Sequence, residues 1–294
     1  MKAISELLKK SDIRALSYKK NGNVIIAETN IGKVVIKKHK NKDYIYNYLN
    51  TRNFNYYPEI LKEEEYSISK YVEDVDIPKE QKILDLIDLV ALLHSKTTHY
   101  KDLSEDEYKK IYEDLHNNFE YLNEYYKDII SIIDDKVFMS SSEYLLARNI
   151  NSIFKSIELG KEYIENWLKQ IDGMTKMRVS VVHNNLDLSH YIKNSYDYLI
   201  SWDKSKIDIP IFDLYKLYIN HSLDFDFFEL LKRYEQTYPL KEYEVELLFI
   251  LITMPSKIEF NDNEFNMCIK ISREINKLYK SNQLIMEYKK SIQK

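Results

Sequence analysis

The sequence predicts an α+β fold in which a small antiparallel β-rich region is followed by a large helical region. Over roughly the first seventy residues, short β-branched and aromatic segments alternate with turn signals. Further along, two capping boxes open long amphipathic helices, and one β-rich segment interrupts the helices between residues 179 and 202. We place the boundary between the two regions after residue 75, so that they cover residues 1–75 and 76–294.

The N-terminal strands are predicted from the turns that separate them. Asn21-Gly22 is a strong hairpin signal, and a second turn at Asn30-Ile31-Gly32 follows it. The predicted strands are 13–19, 23–29, 33–38, 60–64 and 66–72, with one short helix at 43–50. These elements make a small antiparallel sheet.

The helical region is predicted from capping and from apolar spacing. Ser104 with Glu107 and Ser140 with Glu143 each form a capping box ahead of apolar residues that repeat every three to four positions. A dense apolar helix is also predicted at 83–94. Helices return from residue 213 to the end, with breaks at Pro239 and Pro255.

Composition excludes several classes of function. The 294 residues are 44% apolar and 31% charged, as expected for a globular protein with a sizeable core. The net charge is −4 and no concentrated basic face is evident, so we expect no nucleic-acid partner. Apolar runs such as 247–254 are too short to span a bilayer, so we expect no membrane association.

The single cysteine and the N-terminal residues bear on location. Cys268 is the single cysteine, so an intramolecular disulfide cannot form. Residues 1–10 have no apolar core or cleavage signature of a signal peptide. We therefore expect the protein in a reducing cytoplasm. The 26 tyrosines, with many Lys, Ile and Asn residues, are typical of an AT-rich genome, and we draw no function from them.

The segment 179–203 carries the densest set of candidate site residues. His183-Asn184-Asn185-Leu186-Asp187-Leu188-Ser189-His190 has the outline of the phosphotransferase catalytic loop H-G-D-L-x-x-x-N. The histidine is kept as His183. The catalytic aspartate falls on Asn185, and the magnesium-binding asparagine falls on His190.

Three further features accompany this loop in the expected order. Lys37 ends Val34-Val35-Ile36-Lys37, which matches the V-A-I-K strand whose lysine pairs with nucleotide phosphates. Ser201 stands where an I-D-W or D-F-G type turn has its metal-binding aspartate. Asp213, twelve residues later, matches a structural aspartate that opens a helix. Each has an ordinary alternative, such as a solvent-facing lysine or a helix-capping aspartate, but the four together in order argue against chance.

On these residues the chain resembles the aminoglycoside phosphotransferase and choline kinase-like superfamily. More narrowly, it is similar to the spore coat CotS-type kinase-like proteins of endospore-forming Firmicutes, on the basis of 91–95, the loop at 183–190 and 254–260 with its long final helix. The resemblance implies a protein-kinase-like two-lobe fold, with an N-lobe at 1–75 and a C-lobe at 76–294. It also implies ATP and Mg²⁺ as cofactors and phosphoryl transfer to a small-molecule hydroxyl.

The resemblance also assigns residues to the nucleotide side of the site. These are Lys37, Asp43, Ser69, Tyr71 and Glu73. Asp43 is the nearest acidic candidate to pair with Lys37 on the following helix. In the family, the aspartate matched by Asp213 accepts backbone hydrogen bonds from the catalytic loop.

Three replacements fall on the catalytic positions themselves. Asn185 has no base to accept a proton from the attacking hydroxyl. His190 offers nitrogen and Ser201 a neutral hydroxyl, whereas Mg²⁺ prefers oxygen ligands in a tight octahedral arrangement. Asp187 and Asp203, each two residues beyond a replaced position, are the candidate substitutes for base and metal ligand.

Three functional hypotheses follow from this pattern. The first is a pseudokinase that acts as a structural or assembly component of the spore coat, with coat proteins as partners. It would lie in the mother-cell cytoplasm and then in the coat. The second is an active small-molecule kinase in which Asp187 and Asp203 carry the lost roles. The third is a sensor that binds a nucleotide or metabolite through Lys37 and residues 69–73 without turnover. A zinc site at His183 and His190 has no paired histidine or cysteine motif in its support.

Overall fold

A computed structural model describes Leu8 and residues 13–22, 24–38, 42–63 and 65–292. The predicted strand ends at residues 23 and 64 lie outside these residues, as does nearly all of 1–10, for which no signal peptide is expected. The chain forms two compact units. One combines the described residues of 1–97 with 183–206, and the other combines 98–182 with those of 207–294.

The described strands and helices confirm the α+β prediction. In chain order the strands are β1 Ala15–Asn21, β2 Val24–Thr29, β3 Gly32–Lys38, β4 Ile60–Glu63, β5 Tyr66–Lys70, β6 His99–Asp102, β7 Lys176–Val182, β8 Tyr191–Lys193, β9 Asp197–Leu199 and β10 Lys206–Asp208. The α-helices are α1 Asp43–Thr51, α2 Lys79–Thr97, α3 Glu105–Asp134, α4 Ser141–Ile171, α5 Ile211–His221, α6 Phe227–Thr237, α7 Glu242–Thr253 and α8 Glu264–Ile292.

The first unit is built on a five-stranded antiparallel sheet with the order β1-β2-β3-β5-β4. Asn21 pairs with Val24, which confirms the predicted hairpin, and Gly22 takes the positive φ of 57° that a tight turn requires. Thr29 pairs with Gly32, which confirms the second turn. The sheet therefore follows the turn signals of the sequence closely.

The two faces of this sheet have different chemistry. Val34 and Ile36 of β3 are buried in a core cluster with Ala27 and Ile68. Because side chains alternate along a strand, Lys37 belongs to the opposite face. Strand periodicity thus assigns one face to the core and leaves the other to form a wall of the cavity described below.

Helix α2 and the small β8–β9 sheet complete the first unit. Tyr191 of β8 pairs with Leu199 of β9 in antiparallel register, and both side chains are buried. The backbone N–H of Val75 donates to the carbonyl of Lys193 at 2.7 Å, so the connector after β5 is held against β8. These contacts explain why 183–206 groups with the N-terminal residues. The predicted lobe boundary after residue 75 stays a prediction.

The second unit is mainly helical. The capping boxes of Ser104 with Glu107 and of Ser140 with Glu143 are both formed, which confirms the predicted starts of α3 and α4. Helix α4 packs against α3, α7 and α8, and its Gly160 lies directly against Phe119 of α3. Strands β6 and β7 pair in antiparallel register in the same unit.

Three features of the fold differ from the sequence prediction. Strands β6 and β10 were not predicted, because both are short and mostly polar and so lack an alternating apolar signal. The helical pattern after residue 213 is also broken at 222–226, where Asp226 caps α6 by accepting from the N–H of Phe228. Among the described helices, none is both long and apolar enough to cross a bilayer.

Candidate functional site

A cavity of ≈330 Å³ lies in the first unit, against the face of the sheet opposite the core cluster. We call it the first cavity. The sheet contributes alternate residues to its wall: Val24 and Ile26 of β2, Val35 and Lys37 of β3, and Ser67 and Ser69 of β5. Residues 200–203 and the rings of Tyr46 and Tyr57 form further walls. The predicted lysine strand and the predicted metal-binding turn thus meet in one pocket.

The contact between Lys37 and Ser201 is the central feature of this cavity. Nζ of Lys37 donates to Oγ of Ser201 at 3.5 Å, a long hydrogen bond across 164 residues of sequence. Lys37 is half-buried, and Ser201 lies in the left-handed region with φ of 67°. A lysine that meets a neutral hydroxyl keeps its charge available for an anionic ligand.

The charges that line the first cavity are mostly positive. Lys38, Lys42 and Lys70 line it together with Lys37, and Asp203 is the one carboxylate among the described lining residues. Lys70 pairs with Glu59, and Nζ of Lys42 donates to the carbonyl of Ser205 at 2.7 Å. The remaining excess of positive charge favours an anion such as a phosphate group.

His183 holds the candidate catalytic loop in place. It follows β7, is fully buried, and its Nε2 donates to the carbonyl of Ile200 at 2.8 Å. The N–H of Ile200 donates in turn to the carbonyl of His190 at 2.9 Å. The His183 ring packs edge-on against Trp202 with 4.9 Å between ring centroids. Thus His183 positions the loop and the turn after Ile200 relative to each other.

Asn184 and Asn185 follow His183 in the candidate catalytic loop. Asn184 stands at the glycine of the H-G-D pattern and takes a positive φ of 55°, which Asn tolerates better than most residues. The carbonyl of Asn185 accepts a hydrogen bond of 2.6 Å from Nδ1 of His190. The side chain of His190 is therefore engaged with the backbone of the loop.

Asp187 has a structural contact at the end of the same loop. It caps the 3₁₀ turn Leu188–His190, and its Oδ1 accepts from the N–H of Ser189 at 2.8 Å. This is the geometry of an aspartate that stabilises a turn. It is not among the lining residues of the first cavity.

The residues at the metal positions do not fit a Mg²⁺ ion. In the described part of the chain, no group of three or more His, Cys, Asp or Glu side chains is placed to hold a metal. Nδ1 of His190 is used for the contact with Asn185, and the Ser201 hydroxyl accepts from Lys37. Asp203 alone leaves too few anionic oxygens for a hard divalent cation.

The predicted site residues fall into four groups. Lys37, Ser69, Tyr71, Ser201 and Asp203 all line the first cavity. Asp43 and Glu73 do not, and the exposed Glu73 carboxylate pairs with Lys33 at 3.1 Å. His183, Asn185, Asp187 and His190 share the loop after β7. Asp213 lies fully buried in the first turn of α5, in the second unit.

Several residues that build the cavity were not predicted from the sequence. Lys42, Tyr46 and Tyr57 line it, and Trp202 packs against both tyrosines at 6.4 and 6.3 Å between ring centroids. The position of Lys42 at the start of α1 was a weak signal. The tyrosines could not be distinguished among 26 of their kind.

Known proteins match this chain in structure but not in sequence. No family model matches the sequence, and no curated protein resembles it significantly. An aminoglycoside phosphotransferase from Alicyclobacillus acidocaldarius superposes with a TM-score of 0.69 at 9% identity, over 93% of this chain and 92% of that one. The chain has the fold of the aminoglycoside phosphotransferases.

Two other enzymes share this phosphotransferase fold. A spectinomycin phosphotransferase bound to AMP gives a TM-score of 0.57 at 11% identity, over 95% of this chain and 97% of that one. The choline kinase LicA from Streptococcus pneumoniae gives 0.52 at 15% identity, over 94% and 98%. The spectinomycin enzyme has also been solved with ADP and spectinomycin. The expected protein-kinase-like fold is thereby confirmed.

Proposed function

We propose that this protein is a pseudokinase: a phosphotransferase-fold protein that binds a nucleotide or similar anion in the first cavity and does not transfer its phosphoryl group efficiently. The observation that carries the proposal is the contact of Lys37 with Ser201. In the proposed site Lys37 would bind phosphates, and Ser201 stands where the resemblance leads us to expect a metal-binding carboxylate. The site thus retains attraction for an anion while lacking a metal ligand.

The missing groups account for the expected lack of turnover. Phosphoryl transfer depends on positioning and on neutralising charge at the transferred group, which magnesium ions normally do. Asn185 cannot accept the proton of an attacking hydroxyl, and general-base help is worth roughly 10²–10⁴-fold in rate. With two metal positions also replaced, at His190 and Ser201, binding remains feasible and catalysis is strongly reduced.

The residues present support binding by ordinary electrostatics. Lys37 would donate to a phosphate oxygen in place of Ser201, with Lys42 adding charge at the same cavity. The apolar residues of β2 and β3 would cover an uncharged ring of the ligand. The nucleotides seen in the spectinomycin phosphotransferase agree with this ligand class.

We further propose a role as a structural or assembly component of the spore coat, with coat proteins as partners. This rests on the resemblance of 91–95, 183–190 and 254–260 to the CotS-type proteins. The protein would be made in the mother-cell cytoplasm and then joined to the coat. Isolation of coats from sporulating and vegetative cells, probed with an antibody to this chain, tests the location directly.

A second candidate function is an active kinase with substituted ligands, and one observation favours it. Asp203 lines the first cavity together with Lys37 and Ser201, so a carboxylate is present near the predicted metal position. Asp187, the proposed substitute base, accepts a hydrogen bond from Ser189 instead. ATP-dependent phosphorylation of a small-molecule hydroxyl that disappears in Asp203→Ala would establish this alternative.

A thermal-shift experiment with ATP, in the presence and absence of Mg²⁺, tests the pseudokinase proposal. We expect ATP to raise the melting temperature without metal, and added Mg²⁺ to increase the shift little. The matched comparison is the triple variant Asn185→Asp, His190→Asn, Ser201→Asp, which restores the family's residues. In this variant we expect the shift to become strongly dependent on Mg²⁺.

Two results would count against the proposal. One is a parent protein whose ATP-induced shift requires Mg²⁺ and is accompanied by steady release of ADP. The other is a parent protein with no shift for any nucleotide, which would instead favour a scaffold without a ligand.

A further inference from the structure

A second cavity of ≈860 Å³ lies in the first unit, beyond the rings that line the first one. Helix α1 contributes Asn47 and Asn50 to it, and the loop after α1 contributes Asn53, Asn55 and Tyr56. Tyr196 and Tyr198 line it from the β8–β9 hairpin. Its volume falls within the range of small-molecule sites. The function proposed above makes no use of it.

Its walls are held by contacts within the unit. The loop after α1 is anchored by Phe54, which is fully buried against Tyr56 and Trp202, with centroids at 5.1 and 6.2 Å. The N–H of Leu199 donates to the carbonyl of Tyr56 at 2.8 Å, and this joins β9 to the loop. The cavity is therefore a formed feature of the fold.

The chemistry of the second cavity differs from that of the first. Glu59 and Lys62 supply one charge of each sign, and the Glu59 carboxylate is paired with Lys70. The remaining polar groups are neutral amides and phenols, each of which both donates and accepts hydrogen bonds. Such a lining gives an anion no advantage and suits a ligand rich in hydroxyl groups.

The aromatic residues narrow the ligand class further. The rings of Tyr46 and Tyr57 pack against each other, with centroids at 5.1 Å and planes inclined by 54°, so no ligand ring lies between them. A sugar ring needs one aromatic face for its C–H groups and nearby amides for its hydroxyls. Tyr196, at 70% exposure, is an aromatic residue that lines the cavity.

We propose that the second cavity is a binding site for a neutral saccharide. Tyr196 and Tyr198 would cover the apolar face of a sugar ring, and Asn47 and Asn55 would bind its hydroxyls. Tyr46, Tyr57 and Ile60 line both cavities, so the two sites share a wall. The proposal does not depend on nucleotide binding in the first cavity.

Saturation-transfer difference NMR of the whole chain tests this, with methyl β-glucoside, N-acetylglucosamine and maltose as probes and adenosine as comparator. We expect millimolar binding of at least one saccharide, weakened about tenfold or more by Tyr196→Ala and by Asn47→Ala. Tyr279→Ala, a tyrosine at 67% exposure on α8, is the matched control and leaves binding unchanged.

Lys37→Ala separates this proposal from the previous one, because it removes charge from the first cavity alone and should leave saccharide binding intact. Thermal unfolding shows whether Tyr196→Ala and Asn47→Ala are folded. Because these two residues lie on different structural elements, one variant still tests the proposal if the other does not fold. The proposal is overturned if no saccharide binds, if both variants bind as well as the parent, or if adenosine is the probe whose binding they abolish.

Discussion

Asp85 on α2 accepts a hydrogen bond of 2.9 Å from Nζ of Lys193 on β8. The same ammonium lies 2.7 Å from a carboxylate oxygen of Asp197, which also accepts from the hydroxyl of Tyr191 at 2.7 Å. The side chains of Asp85 and Lys193 are only 14% and 32% exposed. A partly buried charge network thus fixes the β8–β9 hairpin, which follows the candidate catalytic loop, against α2.

This network predicts a dependence of stability on pH. Burial alone would raise the pKa of Asp85, but hydrogen bonds from Lys193 and Gln81 outweigh it and lower the pKa below its ordinary value. Such a group stabilises the fold above its unfolded pKa of about 3.9, and this contribution is lost as pH falls through the lower folded value. In urea unfolding between pH 7 and pH 3, Asp85→Asn should lose stability less steeply than the parent.

The same variant should lower the free energy of unfolding at pH 7 by about 1–3 kcal/mol, since it weakens charged hydrogen bonds. Glu105→Gln, which removes an exposed ion pair with Lys109, is the control and should change stability little. Equal effects of the two substitutions at pH 7, or parallel pH profiles for parent and Asp85→Asn, would contradict this account.

Lys37 should control anion binding while a lysine on the same strand should not. Lys37→Ala removes a charged donor from the first cavity, and we expect ATP affinity to fall about 10- to 100-fold, as for loss of a charged hydrogen bond. Lys33→Ala is the control, because Lys33 pairs with Glu73 and does not line the cavity. Isothermal titration of both variants measures the difference. Equal affinities would remove Lys37 from the site.

Removing one charge of the buried Arg178–Glu244 ion pair should cost more stability than removing both. Nε of Arg178 donates to Oε1 of Glu244 at 2.9 Å, its Nη2 donates to the carbonyl of Pro239 at 2.9 Å, and its guanidinium lies 4.1 Å from the centre of the Tyr238 ring. Glu244→Gln leaves a buried cation without its partner, so we expect a loss of about 3–5 kcal/mol in urea unfolding.

The double variant Arg178→Met, Glu244→Leu removes both charges and should be less destabilised than the single variant. A double variant that is at least as unstable as Glu244→Gln would show that the hydrogen bonds to the backbone matter more than the charge.

Gly160 should tolerate no larger residue. A methyl group at this position of α4 would overlap the Phe119 ring of α3, and Thr253 of α7 lies close on the other side. Although alanine favours a helix more than glycine, we expect Gly160→Ala to lower the free energy of unfolding by about 1–3 kcal/mol through overpacking. The companion variant Gly160→Ala, Phe119→Leu makes room for the methyl group. It should recover part of the loss in thermal unfolding, and no recovery would point to another cause.

Much of the fold was predictable because its signals are local. The turn at Asn21-Gly22, the capping boxes of Ser104 and Ser140 and the break at Pro239 each act within a few residues. The structure confirms them all. Strands β6 and β10 were not predictable, since their pairing with β7 depends on distant residues and not on their own composition.

The candidate site was predictable only in part. Motif spacing identified Lys37 and Ser201, which the structure brings within 3.5 Å. The same reasoning assigned Asp43 and Glu73 to the nucleotide side, and neither lines the first cavity. It also passed over Tyr46 and Tyr57, whose importance depends on their contacts with Trp202.

The sequence by itself determined the order of the predicted strands and helices, and it placed Asn185, His190 and Ser201 at the positions expected for the base and the metal ligands. These are properties of residue type and near neighbours, and the chain carries them before it folds. Tertiary structure alone decided which side chains share a cavity and which charges remain uncompensated. A cavity and its electrostatic field are made by residues far apart in sequence, and their distances exist only once the chain has packed.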